Sequence, residues 1–311
     1  MINAIPLFYY PTTCIYVDDD KTFLQCMPMA FENIARSKLF SSAKACIDFL
    51  GSYKTTLSFN HFLKSNCDDE HYGVLHHTPT DFDITAVAEL SNNPARHDEI
   101  TAMVIDYHMP EMNGFSLAKE CGQLPVNKIL LTGTTDDEHV IAGFNQSVIQ
   151  RFVQKNEEME EKLASYLSDL SLQYFQTITS PLLAHLEVEN RMPLSDPVFI
   201  AFFKSFCLRK NIVEYYLIDK QGSFLCIDHD GKKTILILHS DRSLDAWVEA
   251  YGSGDELPQH LLQAIQRREK IPFFGIGKEA WNIDSAQWKN YFYSSVMLVG
   301  RERYFWFELE G

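Results

Sequence analysis

Nowhere in the 311 residues do 18 apolar side chains follow one another, and the amino end carries no basic-then-apolar leader. Those absences speak against a membrane-spanning helix and against secretion. The seven cysteines (Cys14, Cys26, Cys46, Cys67, Cys121, Cys207 and Cys226) are odd in number and include no CxxC pair. A disulfide scaffold is therefore not expected, and the pattern suits thiols buried as small hydrophobes in a reducing, cytoplasmic setting. No internal repeat or low-complexity tract is present, which sets aside solenoids and fibrous folds. Basic residues are scarce: 27 Lys and Arg face 42 Asp and Glu, for a net charge of −15. Most of the imbalance lies in residues 1–171, with 24 acidic and 12 basic side chains, against 18 and 15 in the remainder. A chain this acidic repels phosphate backbones at long range, so its composition shows no nucleic-acid footprint.

What is there fits a globular protein of two domains. The hydrophobic fraction is 46% and the charged fraction 22%, which is enough to bury a core. The apolar opening MINAIPLFYYP is expected either to pack back on its own domain or to pair with a second copy. TCIYV then predicts a buried strand ending in Asp18–Asp19–Asp20. KTFLQCMPMAFENIA has helical spacing, and SKLFSSAKACIDFLG predicts a short strand and a second helix. TAMVID and NKILLTG predict two further buried strands, ending at Asp106 and at Thr132–Gly133. DDEHVIAGFNQSVI places its acidic residues in a first helical turn, as the helix dipole prefers, and RFVQK is a short last strand ending at Lys155. Strands alternating with helices predict a parallel sheet covered on both faces. In such sheets, functional residues gather at the carboxyl ends of the strands.

Four strand ends thus offer Asp18 and Asp19, Asp106, Thr132 and Lys155. Carboxylates crowded within a few ångströms repel one another and call for a divalent cation. Magnesium suits them, because it takes oxygen ligands and keeps several waters. One remaining carboxylate could attack phosphorus to give an acyl phosphate, with the metal and an ammonium neutralising the charge on the transferring oxygens.

These residues resemble the receiver domain of two-component response regulators. VDDD at 17–20 is similar to the family's acidic pair, and IDYHMPEMNG at 105–114 to its phosphoacceptor motif. LTG at 131–133 is similar to its Thr/Ser step, and FVQK at 152–155 to its aromatic-x-x-Lys step. The resemblance spans roughly residues 12–170. It implies a flavodoxin-like, doubly wound, five-stranded parallel sheet. By the same resemblance Asp106 is the phosphoacceptor, and magnesium is held by Asp18, Asp19, Asp106 and the His108 backbone carbonyl. Thr132 and Phe152 become the switch pair and Lys155 the phosphoryl partner. A sensor histidine kinase is the implied partner, with homodimerisation on phosphorylation. Two departures stand out: Asn156 follows Lys155 where the family has proline, and about 47 residues (near 52–98) are inserted before the third strand.

The rest of the chain is read as follows. EEMEEKLASYLSDLSLQYFQTI predicts a helix with Leu163, Leu167, Leu170, Tyr174 and Ile178 on one stripe, ending before Pro181. That stripe suits either receiver packing or a short coiled coil, and dimerisation is the favoured reading. Asp196 and Pro197 mark the start of a helix. VEYYLIDKQGSFLCIDHDGKKTILIL then predicts an antiparallel meander, and the chain closes on a hairpin around GRE at 300–302. The domains are a receiver at 1–156 with its insertion, a helix-five or linker helix at 157–180, and an α+β output domain at 181–311. The first hairpin of the output domain is PAS-like, a fold-level analogy. HDGKKT at 229–234 and FGIGKEAW at 274–281 do not have the spacing of a nucleotide-binding loop. Cys67, Asp68, Asp69, Glu70, His71, His76 and His77 cluster in the insertion without a regular zinc spacing, so a solvated loop is expected. With no helix-turn-helix pattern and no acid–base constellation, the output is expected to bind protein or ligand without catalysis. A DNA-binding or enzymatic output is the alternative. In layout the chain resembles a small bacterial group of regulators partnered with autoinducer-sensing kinases of the α-hydroxyketone quorum-sensing type.

Overall fold

A computed structural model describes residues 4–32, 34–57, 59–65, 80–133, 148–183, 186, 193–252, 257–278 and 280–311. In chain order the first half forms β1 (Phe8–Tyr9), β2 (Thr13–Val17), α1 (Lys21–Phe31), β3 (Arg36–Phe40), α2 (Ala43–Ser52), β4 (Leu63–Ser65), β5 (Thr80–Phe82) and α3 (Ile84–Glu89). There follow β6 (Ile100–Asp106), α4 (Gly114–Glu120), β7 (Asn127–Thr132), β8 (Arg151–Gln154) and α5 (Met159–Leu183). The second half forms α6 (Pro197–Arg209), β9 (Ile212–Leu217), β10 (Phe224–Asp228), β11 (Lys233–Ser240), α7 (Asp241–Tyr251) and α8 (Gln259–Gln266). It closes with β12 (Lys270–Pro272), β13 (Phe292–Ser294), β14 (Val296–Val299) and β15 (Arg303–Glu310). Residues 136–147 of the helix expected at DDEHVIAGFNQSVI and the Cys/His/Asp cluster at 67–77 lie outside the described residues.

The chain folds as two compact units, one of Tyr10–Ser58 and Asn93–Thr177, the other of Met1–Tyr9, Phe59–Asn92 and Ile178–Gly311. In the first unit the strands lie in the order β3-β2-β6-β7-β8, all parallel. This is the doubly wound order of flavodoxin-like sheets. Alternation along β2 sends Ile15 and Val17 to one face and Cys14 and Tyr16 to the other. The first face packs on Ala43, Cys46 and Leu50 of α2 and on Leu117 and Ala118 of α4. The second packs on Leu24, Met27 and Phe31 of α1 and on Leu163, Leu167 and Leu170 of α5. Burying one such Leu, Ile or Phe contributes about 1.5–3 kcal/mol, and the sheet is covered on both sides, as the burial of β6 along its whole length shows.

Two expectations about α5 are corrected here. The helix does not stop before Pro181 but runs through it to Leu183. Proline in a last turn forfeits one hydrogen bond without having to break the helix there. The stripe Leu163, Leu167, Leu170 and Tyr174 is buried, so these side chains are spent inside the chain and are not the face on which two copies could meet.

The second unit is α+β, with an antiparallel sheet in the order β1-β9-β10-β11-β15-β14. The apolar opening segment joins it: Phe8 pairs with Tyr216 and Tyr9 with Tyr215. The hairpin behind the PAS-like analogy is present as β9–β10, and HDGKKT forms the β10–β11 turn with Gly231 at φ +80°. Asp196 caps α6 by accepting from the Val198 amide at 2.9 Å, and it also accepts from the Arg301 amide at 2.6 Å and the Tyr304 hydroxyl at 2.9 Å. Among the described residues no helix is long and apolar enough to cross a membrane.

Candidate functional site

Strand β2 is buried along its whole length and delivers three consecutive aspartates at its carboxyl end. They divide their tasks. Asp20 becomes the cap of α1, accepting from the amides of Thr22 at 2.8 Å and Phe23 at 3.2 Å, a satisfaction the first helical turn needs. Asp18 is 2% exposed, with Oδ1 accepting from the Asp20 amide at 2.9 Å. Asp19 stays exposed beside it. Strand β6 pairs with β2 and ends on Asp106, which is 5% exposed. Oxygen atoms of Asp18, Asp19 and Asp106 all lie within 4.8 Å of one another.

Lys155, just beyond β8, closes the cluster from the other side. Its Nζ lies 2.8 Å from Asp18 Oδ2 and 2.6 Å from Asp106 Oδ1. It also sits 4.7 Å from the centre of the Phe23 ring, a cation–π contact that helps fix its approach. Its own amide donates to the Thr132 carbonyl at 2.9 Å. Thr132 is fully buried, and the β6–β7 register sets Asp106 opposite Leu131, one residue before it. The His108 amide donates to Asp106 Oδ2 at 2.9 Å. Phe152, opposite Leu130 in the β7–β8 register, is 39% exposed.

Burial raises the pKa of Asp106; the hydrogen bond and charge of Lys155 oppose that rise, and the charge of Asp18 adds to it. Burial alone would lower Lys155, but its hydrogen bonds to Asp106 and Asp18 outweigh this and raise it. A buried carboxylate held against ionisation beside a second carboxylate is a site that a cation stabilises. The donor set is all oxygen, from three carboxylates, which fits a hard divalent ion such as magnesium.

Sequence reasoning did not anticipate Asp20 as a cap or Phe23 under the lysine. Gly114 closes the phosphoacceptor-like motif, and a Cβ there would stand 2.2 Å from the Asp106 carbonyl oxygen. Only glycine allows the loop after β6 to fold back so closely on the residue it presents.

No family model matches the sequence, and no curated protein matches it. Among solved structures, the Legionella pneumophila response regulator LqsR is 27% identical, with a TM-score of 0.79 over 100% of this chain and 91% of that one. Over its whole length the chain is similar to a response regulator. Isolated receiver domains also match the chain, at levels too low to carry weight. The BeF3-activated DrrB receiver is 19% identical over 51% of this chain and 97% of that one, with a TM-score of 0.33. The Francisella response regulator 1452 receiver is 17% identical over 52% and 98%, with a TM-score of 0.34. The chain's second unit falls inside the full-length likeness to LqsR, so it belongs to the shared architecture.

Proposed function

We propose that the regulator accepts a phosphoryl group on Asp106 from a sensor histidine kinase. Asp106 supplies the attacking oxygen, which forms a bond to phosphorus as the bond to the donor's leaving group breaks. Asp18, Asp19, Asp106 and the His108 carbonyl would hold magnesium, which when bound neutralises charge on the phosphoryl oxygens. Lys155, already within ion-pair distance of Asp106, orients the carboxylate and offsets the added charge of about −1.5 to −2. Thr132 at the adjacent strand end is the hydroxyl that responds to it, and Phe152 the aromatic that follows. The change is relayed through dimerisation or through contacts of the C-terminal unit, which binds protein or ligand rather than catalysing a reaction. The resemblance in layout to regulators partnered with autoinducer-sensing kinases extends the reading to quorum signalling of the α-hydroxyketone type. A DNA-binding or enzymatic output remains the alternative, and a gel shift with genomic fragments, with and without acetyl phosphate, separates them.

The convergence of three carboxylates and one ammonium at the carboxyl edge of a parallel sheet carries this reading. Acetyl phosphate with magnesium should label the wild-type chain and fail to label Asp106→Asn. Undiminished labelling of that variant would move the acceptor elsewhere.

A further inference from the structure

The second unit contains a half-open cleft of about 340 Å³, lined by residues remote in sequence from the carboxylate cluster. Small-molecule sites have volumes of about 300–1,000 Å³. One wall is aromatic, formed by Trp247 of α7 with Phe273 and Phe274. These rings are held by others behind them. Trp247 meets Phe292 at a centroid distance of 5.5 Å, and Phe274 meets Trp288 at 5.8 Å and Tyr291 at 5.4 Å. A wall already packed in this way costs little ordering when a flat apolar body lies against it.

The polar side is cationic. Lys220, in the β9–β10 turn, and Lys278 line the cleft and are exposed. Asp219 lines it too, but its Oδ1 accepts from the amides of Gln221, Gly222 and Ser223 at 2.9–3.0 Å, so that oxygen is turned into the turn it closes. His239 bonds through Nδ1 to Ser243 Oγ at 3.2 Å and through Nε2 to the Pro272 carbonyl at 3.0 Å. Burial holds its pKa down to about 4, against the Pro272 hydrogen bond, so it adds no charge near neutrality. Among the described residues that line the cleft, two ammonium groups therefore face one carboxylate with an oxygen held by three amides, in a chain whose net charge is −15.

The backbone at this edge is set by glycine. The Lys278 amide donates to the Gly275 carbonyl at 3.2 Å, closing a turn in which Gly277 has φ +67°. The Lys278 stem folds over Gly275, with Cδ 3.5 Å from where a Cβ would stand. A side chain at 277 would crowd Thr85 at 3.2 Å. Thr85 and Ile84 belong to the segment inserted ahead of β6, so the insertion supplies part of the cleft wall.

We propose that this cleft binds a small organic anion with a flat aromatic body, an aryl carboxylate in the simplest case, its ring on Trp247 and Phe274 and its charge between Lys220 and Lys278. The assignment deepens the ligand-binding reading of the C-terminal unit and rests on it. The probe is 6-fluoro-2-naphthoate, added to the full-length protein and followed by ¹⁹F line broadening, with its neutral carboxamide as the comparison. Saturable binding of the acid is expected. The amide should bind about tenfold weaker, and so should the acid to the Lys220→Gln/Lys278→Gln double variant, because charge-assisted hydrogen bonds are lost. Both substitutions are at exposed positions, so an unchanged melting temperature separates loss of the site from loss of the fold. If neither probe binds at millimolar concentration, the cleft is not a ligand site and the ligand-binding reading falls with it. Equal binding of acid and amide, or undiminished binding to the double variant, overturns the anion assignment and leaves ligand binding standing.

Discussion

At Gly114 a single added methyl group is too many. A Cβ there would lie 2.2 Å from the carbonyl oxygen and 2.9 Å from the carbonyl carbon of Asp106, so the loop or the strand end must move. Gly114→Ala should cost about 1–3 kcal/mol, as overpacking does, and slow labelling by acetyl phosphate several-fold. Gly51 is the contrasting case. Nothing lies within 4 Å of its added Cβ and it sits in α2, so Gly51→Ala should be neutral or stabilise by up to about 1 kcal/mol. Urea titrations followed by circular dichroism distinguish the two. His239 gives a pH prediction. Its folded pKa, lowered by burial to about 4 from 6.5, means that the unfolded chain takes up a proton first as pH falls. Stability is therefore fully present above pH 6.5 and is lost as pH falls from there toward 4, by about 2 kcal/mol between pH 7.5 and 5. All four tryptophans (Trp247, Trp281, Trp288 and Trp306) lie in the C-terminal unit, so tryptophan-detected unfolding isolates the effect. An unaltered pH dependence in His239→Gln would remove the attribution.

At the scale of elements, β6 carries polar chemistry at both ends. Glu99, just before it, is 1% exposed and accepts from the Tyr174 hydroxyl at 2.5 Å, Thr55 Oγ1 at 2.8 Å and the Thr56 amide at 2.7 Å. It ties α5 and the segment after α2 to the foot of the strand. Tyr174→Phe leaves a buried carboxylate short of one donor and should cost about 1–3 kcal/mol in thermal melts. Phosphoryl labelling at the opposite end should persist. The sequence announced β2, β6 and β7 of this sheet because each carries a short, largely apolar, buried run, and the carboxyl end of such a run is where polar and charged residues resume. Asp18, Asp106 and Thr132 were legible for that reason. Asp20 and Phe23 were not, since a cap and a ring beneath an ammonium depend on which neighbour folds over them. Pro181 misled because a proline within the last turn of a helix reads the same as one just past its end. The pairing of β1 with β9 had no local signal either. Two residues cannot show a period, and the choice between a partner in the same chain and one in another copy is made far away in sequence.

For the molecule as a whole, the acidic site predicts that magnesium stabilises the first unit alone. Binding to the folded state adds RT ln(1 + [L]/Kd), about 2.7 kcal/mol at a hundredfold excess over Kd. The gain should appear in the far-ultraviolet melt, be absent from tryptophan emission, and vanish in Asp18→Asn or Asp19→Asn. The threading of the chain has a different consequence. Residues 1–9 and 59–92 belong with 178–311, so a ribosome releases both segments long before the polypeptide they join exists. Leu7 and Phe8, 0% and 1% exposed once folding is complete, must wait uncovered through most of synthesis. A nascent chain halted near residue 180 would carry that greasy end with nowhere to dock, a natural handle for chaperones and a reason for shortened versions to aggregate.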